Sequence, residues 1–188
     1  MPEQIDARIQ KSQTAIIKAG MQLLSKNSEA SLSDIAREAG VGRTTLYRLY
    51  DTKEKLIKAI ALHCLDSFER ATEQLESEAE SALHAFHLMF KAIFPLSAEM
   101  EFLMKLGDLE EDEPEIFAIY QRQANDIAEL VKCAQAEGSM SKDIPIAWVV
   151  NLVEGLLYTA WLTNKEKPMD HNALADLAFN TFCNGIAR

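Results

Sequence analysis

The chain has 188 residues, enough for one good core or for a small module fused to a larger one, and 48% hydrophobic with 26% charged residues is the balance of a globular protein. Seven Gly and five Pro exclude collagen-like, disordered and turn-rich β chains, and Cys64, Cys133 and Cys183 are too scattered for a disulfide framework or a CxxC metal site. The net charge of −10 speaks against a polyanionic partner until it is resolved along the chain: residues 1–60 hold ten Lys/Arg against seven Asp/Glu, and residues 61–188 hold nine against twenty-two.

The start MPEQIDARIQ has no apolar signal core, so a reduced, cytoplasmic protein is expected. From Ala7 to Lys26, Ile16, Ala19, Gly20, Leu23 and Leu24 recur at helical spacing and predict a first helix. Ser31-Leu-Ser-Asp34 then places a carboxylate three residues after a capping serine, the pattern of a capping box. The second helix runs to about Ala39 with Leu32, Ile35, Ala36 and Ala39 inward, and Gly40 supplies the left-handed turn beyond it. The next segment, Arg43 to Leu49, is too short to hold a helix alone in water, so neighbours must clamp it. Its Leu46 faces the core, and Arg43, Thr44, Thr45, Tyr47 and Arg48 point outward or along the rim.

A long helix restarts at Thr52-Lys53, with Leu56, Ile60, Cys64, Ser67, Phe68, Ala71 and Leu75 in a stripe. Pro95 ends the helix that carries Phe86, Phe90 and Phe94. The acidic run from Asp108 to Glu115 is predicted as a loop, Glu137-Gly138 ends the helix after it, and Asp143 and Asp170 precede two last helices as candidate caps. Ile144 to Leu162 is apolar over nearly the length of a membrane span. It carries Asn151 and Glu154 near its centre, and an acid at mid-bilayer costs roughly 2.5–3.5 kcal/mol, so a buried or interfacial helix is expected and no membrane partner. With no strand alternation and no repeat, the chain is predicted all-α.

A short helix, a glycine-bearing turn and a second short helix studded with donors match the helix-turn-helix device, whose second helix enters the DNA major groove. Arg43 and Arg48 can reach guanine edges or phosphates. Thr44 and Thr45 can bond bases or phosphates, and Tyr47 and Tyr50 can meet the sugar-phosphate chain. No acid lies between Ala39 and Tyr50, where one would repel the duplex. Tyr50 is the member better suited to packing the module onto its neighbours.

Residues 16–57, through IIKAGMQLL, SLSDIAREAGVGRTTLYRLY and TKEKLI, resemble the amino-terminal domain of the TetR family of transcriptional regulators. The specific part is Ile35-Ala36, Ala39-Gly40-Val41, Thr45-Leu46-Tyr47 and Lys53 with Leu56, without a gap. The resemblance implies a three-helix DNA-binding head with a helix-turn-helix (residues 1–52) and a carboxy-terminal helical effector-binding and dimerisation domain (residues 53–188). It further implies a homodimer on a palindromic double-stranded DNA operator, a small-molecule effector, and repression. Residue by residue, it gives Ser33 and Lys53 phosphate contacts, Thr45 and Tyr47 backbone contacts, and Arg43, Thr44 and Arg48 the sequence reading. Three features depart from the pattern. Leu49-Tyr50 stands where members commonly have His-Phe, Gly42 replaces a common serine cap, and the short link Asn27–Ala30 leaves Asn27 to supply the turn.

In the remainder, Ile146, Val149, Val150, Val153, Leu156, Leu157, Ala160 and Trp161 form one wide face, and Leu174, Leu177, Ala178, Thr181 and Phe182 another. These either pair with symmetry mates in a four-helix interface or close the subunit's own core, and the resemblance favours the dimer. Phe86, Phe90, Phe94, Phe102, Phe117 and Tyr120 cluster in the middle helices, where the family holds its effector, and would suit a flat or greasy ligand. A di-iron bundle enzyme would need Glu-x-x-His, whereas Ile60, Ser81, His84 and Pro168 stand three before the four histidines. There is no nucleophile elbow, phosphate loop or HExxH, so no enzyme, metal or cofactor is expected. The remaining alternative is a helical carrier or sensor of apolar molecules without operator binding.

Overall fold

The computed structural model of the chain describes residues 2–106 and 113–186. Every regular element among them is a helix: α1 Pro2–Lys26, α2 Leu32–Glu38, α3 Arg43–Leu49, α4 Lys53–Thr72, α5 Leu75–Glu78, α6 Ala82–Ile93, α7 Ser97–Leu106, α8 Pro114–Glu137, α9 Ile146–Glu166 and α10 His171–Ile186. The all-α expectation holds. Most of the acidic run predicted as a loop, residues 108–112, lies outside the described residues. Its last part is extended at Glu113 and gives way to Pro114 in the first turn of α8, where a missing amide costs nothing.

The helices gather into two compact units. One, here the head, contains α1, α2, α3, α4 as far as Asp66, and α7 from Ala98; the other, the body, contains the end of α4 from Ser67, then α5, α6, α8, α9 and α10.

In the head, Ile16, Ile35, Leu46, Leu56, Ile60 and Leu65 are fully buried, one or more from each of the first four helices. Phe102 of α7 joins this unit and is buried too. Close approach of α1 to α4 needs Gly20: a Cβ built there would stand 2.7 Å from Cδ1 of Ile60 and 3.7 Å from Ile35 and Leu56 side-chain carbons. Cys64 is sealed in the same core, its Sγ 3.7 Å from Sδ of Met21, and burial pushes its thiol up to about 12.

In the body, α10 packs along α6, and α9 packs on α8 and α10. The Phe86 and Phe182 rings meet at 4.8 Å between centroids, Phe90 stands edge-on to Phe182 at 6.3 Å and lies 5.7 Å from Phe94. His87 of α6 stacks on Phe179 at 4.5 Å and its Nε2 lies 2.6 Å from the Asp176 carboxylate, which that contact holds below the usual carboxylate range. Glu137 at the end of α8 accepts the free amide of Ala82 at the start of α6, at 3.1 Å.

α9 is the one described helix long and apolar enough to cross a membrane, by length and composition alone. Its Val149, Val150, Val153, Leu156 and Ala160 are buried, as are Leu174, Ala178 and Phe182 of α10. Most of both apolar faces read from the sequence is thus spent on the subunit's own core. The opposite side of α9 exposes Trp148, Asn151, Gly155, Tyr158 and Leu162, and α10 exposes Leu177 and Thr181. Asp143 does not cap α9, because Pro145 occupies the N-cap and brings no side-chain acceptor. Asp170 does cap α10, accepting the amides of Asn172 and Ala173 at 3.0 and 3.1 Å.

Candidate nucleic-acid interface

The helix-turn-helix is fixed at each joint by a local bond. Asn27 makes the α1–α2 turn, its Oδ1 accepting the Glu29 amide at 3.1 Å while its carbonyl accepts the Ala30 amide at 3.1 Å. Ser31 and Asp34 form the complete capping box of α2: the Asp34 amide donates to the Ser31 hydroxyl at 3.2 Å and the Ser31 amide donates to the Asp34 carboxylate at 3.1 Å. Those serine bonds, with Arg37 adding at 2.8 Å, hold the Asp34 carboxyl below its ordinary value. Beyond α2, Gly40 takes φ +65°, the left-handed region in which a side chain would be strained. The Val41 amide returns to the Ala36 carbonyl at 3.0 Å. Gly42 is the N-cap of α3 and offers no side-chain acceptor, as its lack of a hydroxyl implies.

What clamps the seven residues of α3 is burial on one side. Leu46 is fully buried and Tyr50, just past the helix, is nearly so. Burial raises the Tyr50 phenol's pKa, and the ring packs the module as its size suggested. The other side is open: Arg43, Thr44, Tyr47 and Arg48 are exposed, Tyr47 to 47%, while Thr45 is half-buried at the rim. Ser33 is half-buried on α2. Lys53, half-buried at the start of α4, donates its Nζ to the Ser28 carbonyl at 2.5 Å and so ties α4 to the α1–α2 turn. Neither Arg43 nor Arg48 has an ion-pair partner among the described residues, whereas Arg37 and Lys55 spend their charge on Asp34 and Asp51 at 2.8 Å. An exposed helix face of unneutralised cations, hydroxyls and a phenol, held rigid from behind, can donate to phosphates and base edges.

The candidate effector residues divide. Phe86, Phe90 and Phe94 are buried together on α6, Tyr120 of α8 is half-buried, and Phe117 of α8 is 50% exposed. Phe102 stands apart from them in the head, where with Leu24, Ile57 and Leu106 it floors a groove of about 420 Å³ edged by Lys26 and Lys105. The aromatic spacing could not separate these, since a ring that faces either unit's core leaves the same period. Sequence reading also passed over Lys105, whose Nζ donates to the Ser25 carbonyl at the end of α1 and to Glu101 at 2.7 Å.

This geometry defines a DNA-binding helical protein with a helix-turn-helix head. Residues 16–60 match the family model described as bacterial regulatory proteins, tetR family. The chain is 25% identical over 177 residues to the HTH-type transcriptional repressor LfrR of Mycolicibacterium smegmatis, covering 94% of this chain and 91% of that one. It is 26% identical over 168 residues to the HTH-type transcriptional regulator UidR of Escherichia coli, covering 84% of each. The crystal structure of LfrR with proflavine superposes with a TM-score of 0.78 at 24% identity, over 96% of this chain and 98% of that one. Residues 16–60 thus form a tetR-type helix-turn-helix domain, and the full-length relatives, like the exposed face of α3, mark the protein as a DNA-binding transcriptional regulator.

Proposed function

We propose that the protein is a cytoplasmic, homodimeric repressor that binds a palindromic operator and responds to a small, largely apolar effector. Residues 1–52, joined by Lys53 at the start of α4, would carry the DNA contact, and the rest of residues 53–188 effector binding and dimerisation. The observation that carries this reading is the acid-free exposed face of α3, with Arg43, Thr44, Tyr47 and Arg48 outward and Leu46 and Tyr50 anchoring it. Arg43, Thr44 and Arg48 read bases; Thr45, Tyr47, Ser33 and Lys53 hold the sugar-phosphate chain. Repression is supported by LfrR, a named repressor.

The dimer seam we assign is the exposed side of α9 and α10. Trp148 is 65% exposed and Leu177 51%, and Tyr158 and Leu162 are exposed too, so two helices that pack on each other leave four large apolar side chains open to a partner. Gly155 lies in the middle of that side, and a Cβ there would meet nothing within 4 Å, so the position is open to a second helix. Phe86, Phe90, Phe94, Phe117 and Tyr120 supply the apolar lining for the effector. LfrR has been crystallised with proflavine, a flat aromatic cation, a chemistry that an aromatic lining in an acidic chain would accept.

Selection of bound sequences from a pool of random duplexes tests the whole reading. A palindrome with half-sites about 34 Å apart is expected, bound with affinity that falls steeply as salt rises. Tyr47→Ala should weaken that binding with dimerisation intact. A pool that yields no preferred sequence would favour a carrier of apolar molecules instead.

A further inference from the structure

The family match begins at residue 16. Ile16 is fully buried, and from Ala7 to Ala15 no side chain is more than half-buried. At about 1.5 Å per residue, the fourteen positions from Pro2 to Ala15 make up roughly 21 Å of α1 ahead of its fully buried Ile16. Ile9, Ser12 and Gln13, in line with Ile16 at helical spacing, are half-buried, so one side of this part of α1 is covered while the other stays open. Beyond Glu3 and Asp6 in its first turns, the charge of α1 is of one sign. Residues 7–28 contain no Asp or Glu in a chain of net charge −10, yet they contain Arg8, Lys11, Lys18 and Lys26. Arg8, Lys11 and Lys18 are exposed, and none has an ion-pair partner among the described residues. At 100° per residue they fall within an arc of about 80°, so they line one side of the helix. Within that arc Ala15 is small and Gln22 is exposed and uncharged.

We propose that this side of α1 is a second DNA contact surface, gripping phosphates beside the half-site that α3 reads. The proposal rests on the head binding DNA and adds a surface that the helix-turn-helix does not contain. Phosphates are the partner the chemistry fits: three strongly basic side chains on a rigid rod, spaced over about 15 Å from Arg8 to Lys18, with no acid to repel a backbone. Base reading is not expected from it, because phosphate contacts set position and affinity without carrying sequence. The contact would lengthen the protected DNA outward from each half-site and leave the preferred sequence unchanged.

The experiment measures operator affinity against salt for the wild-type protein and an Arg8→Gln/Lys11→Gln/Lys18→Gln variant, on the duplex that the wild type selects from a random pool. Each lost phosphate contact should lower the slope of log K on log salt by about 0.9, hence by about 5 for three contacts in each of two subunits. At 0.1 M salt that is about eightfold in affinity per contact. A second variant, Lys132→Gln/Lys142→Gln/Lys167→Gln, removes the same charge from exposed positions of the body and should leave the slope within about 1 of wild type. Trimming the duplex to the two half-sites should weaken the wild type and not the α1 variant, and the selected sequence should be the same for both. An α1 variant with the wild-type slope and the wild-type footprint would overturn the proposal while leaving α3 as the reader. Equal slope loss in both variants would overturn it as well, by assigning the effect to overall charge. Failure of the wild type to select any duplex would remove the DNA reading itself.

Discussion

Gly20→Ala tests how tightly the head is built behind its DNA-facing helix. The added methyl would stand 2.7 Å from Cδ1 of the fully buried Ile60, inside the distance that carbon atoms tolerate. Overpacking of this kind costs roughly 1–3 kcal/mol. Alanine in place of glycine within a helix returns about 0.5–1 kcal/mol. The single variant should therefore lose about 0.5–2 kcal/mol. Ile60→Val removes the atom in conflict and by itself should cost about 0.5–1.5 kcal/mol. If the two were independent the double variant would lose their sum, up to roughly 3.5 kcal/mol. Instead the methyl would fill the space left by Cδ1 and the helix gain would remain, so the double variant should lose no more than about 1 kcal/mol. Trp148 and Trp161 both lie on α9 in the body, so indole fluorescence would not see the head. Urea denaturation followed by far-ultraviolet circular dichroism, with hydrogen exchange of α1 amides, reports the right unit. Additivity of the two single losses within about 0.5 kcal/mol would refute the contact as the cause. Operator affinity should follow the same order among the four proteins, since α3 depends on this core and no DNA-facing side chain changes.

Ser31→Ala removes one half of the capping box and should destabilise the head by about 1 kcal/mol in denaturation. Because Asp34 has its folded pKa lowered, its contribution is present above the ordinary carboxylate range and lost as pH falls through the folded value; carboxyl NMR titration should show that depression shrink in the Ser31→Ala protein. Gly155→Arg, or Trp148→Glu with Leu177→Glu, should shift the protein from dimer to monomer in sedimentation at micromolar concentration with helix content unchanged; a dimer as tight as wild type would remove this side of α9 and α10 from the seam. A thiol reagent at pH 8 should label exposed Cys133 quickly and Cys64 only as fast as the head opens, since a thiol at about 12 is almost wholly protonated there. Rapid labelling of Cys64 in the native protein would contradict its burial.

The parts of the molecule legible in the sequence are those in which a single residue type satisfies a backbone need close by. Ser31 with Asp34, Gly40 and Gly138 at positive φ, and Asp170 at the start of α10 all sit where the chain requires an acceptor or a left-handed turn. The exposed donors of α3 were legible for a related reason: with Leu46 inward, helical geometry sends Arg43, Thr44, Tyr47 and Arg48 away from it. Pro145 defeated the expected Asp143 cap because a proline can begin a helix without one. Tertiary choices were not legible. The most apolar side of α9 pointed into its own subunit, and the side left open mixes Trp148, Asn151, Gly155 and Tyr158, which no hydrophobic period singles out. Phe102 carries the same spacing as the rings of α6 yet belongs to the other unit, and Lys105 reaches back across the chain to Ser25, a link between residues far apart in sequence.

That Phe102 sits in the head core has a consequence for how the protein is made. The ribosome delivers α1 to α4 first, but the ring that shares the groove floor with Leu24 and Ile57 arrives only after the thirty or so residues that follow Asp66. At about 5–20 residues per second the nascent chain waits roughly 2–6 seconds with that apolar floor incomplete. During translation the reader of the operator is thus an unfinished object, and it becomes whole only when a stretch of the other unit has already left the exit tunnel.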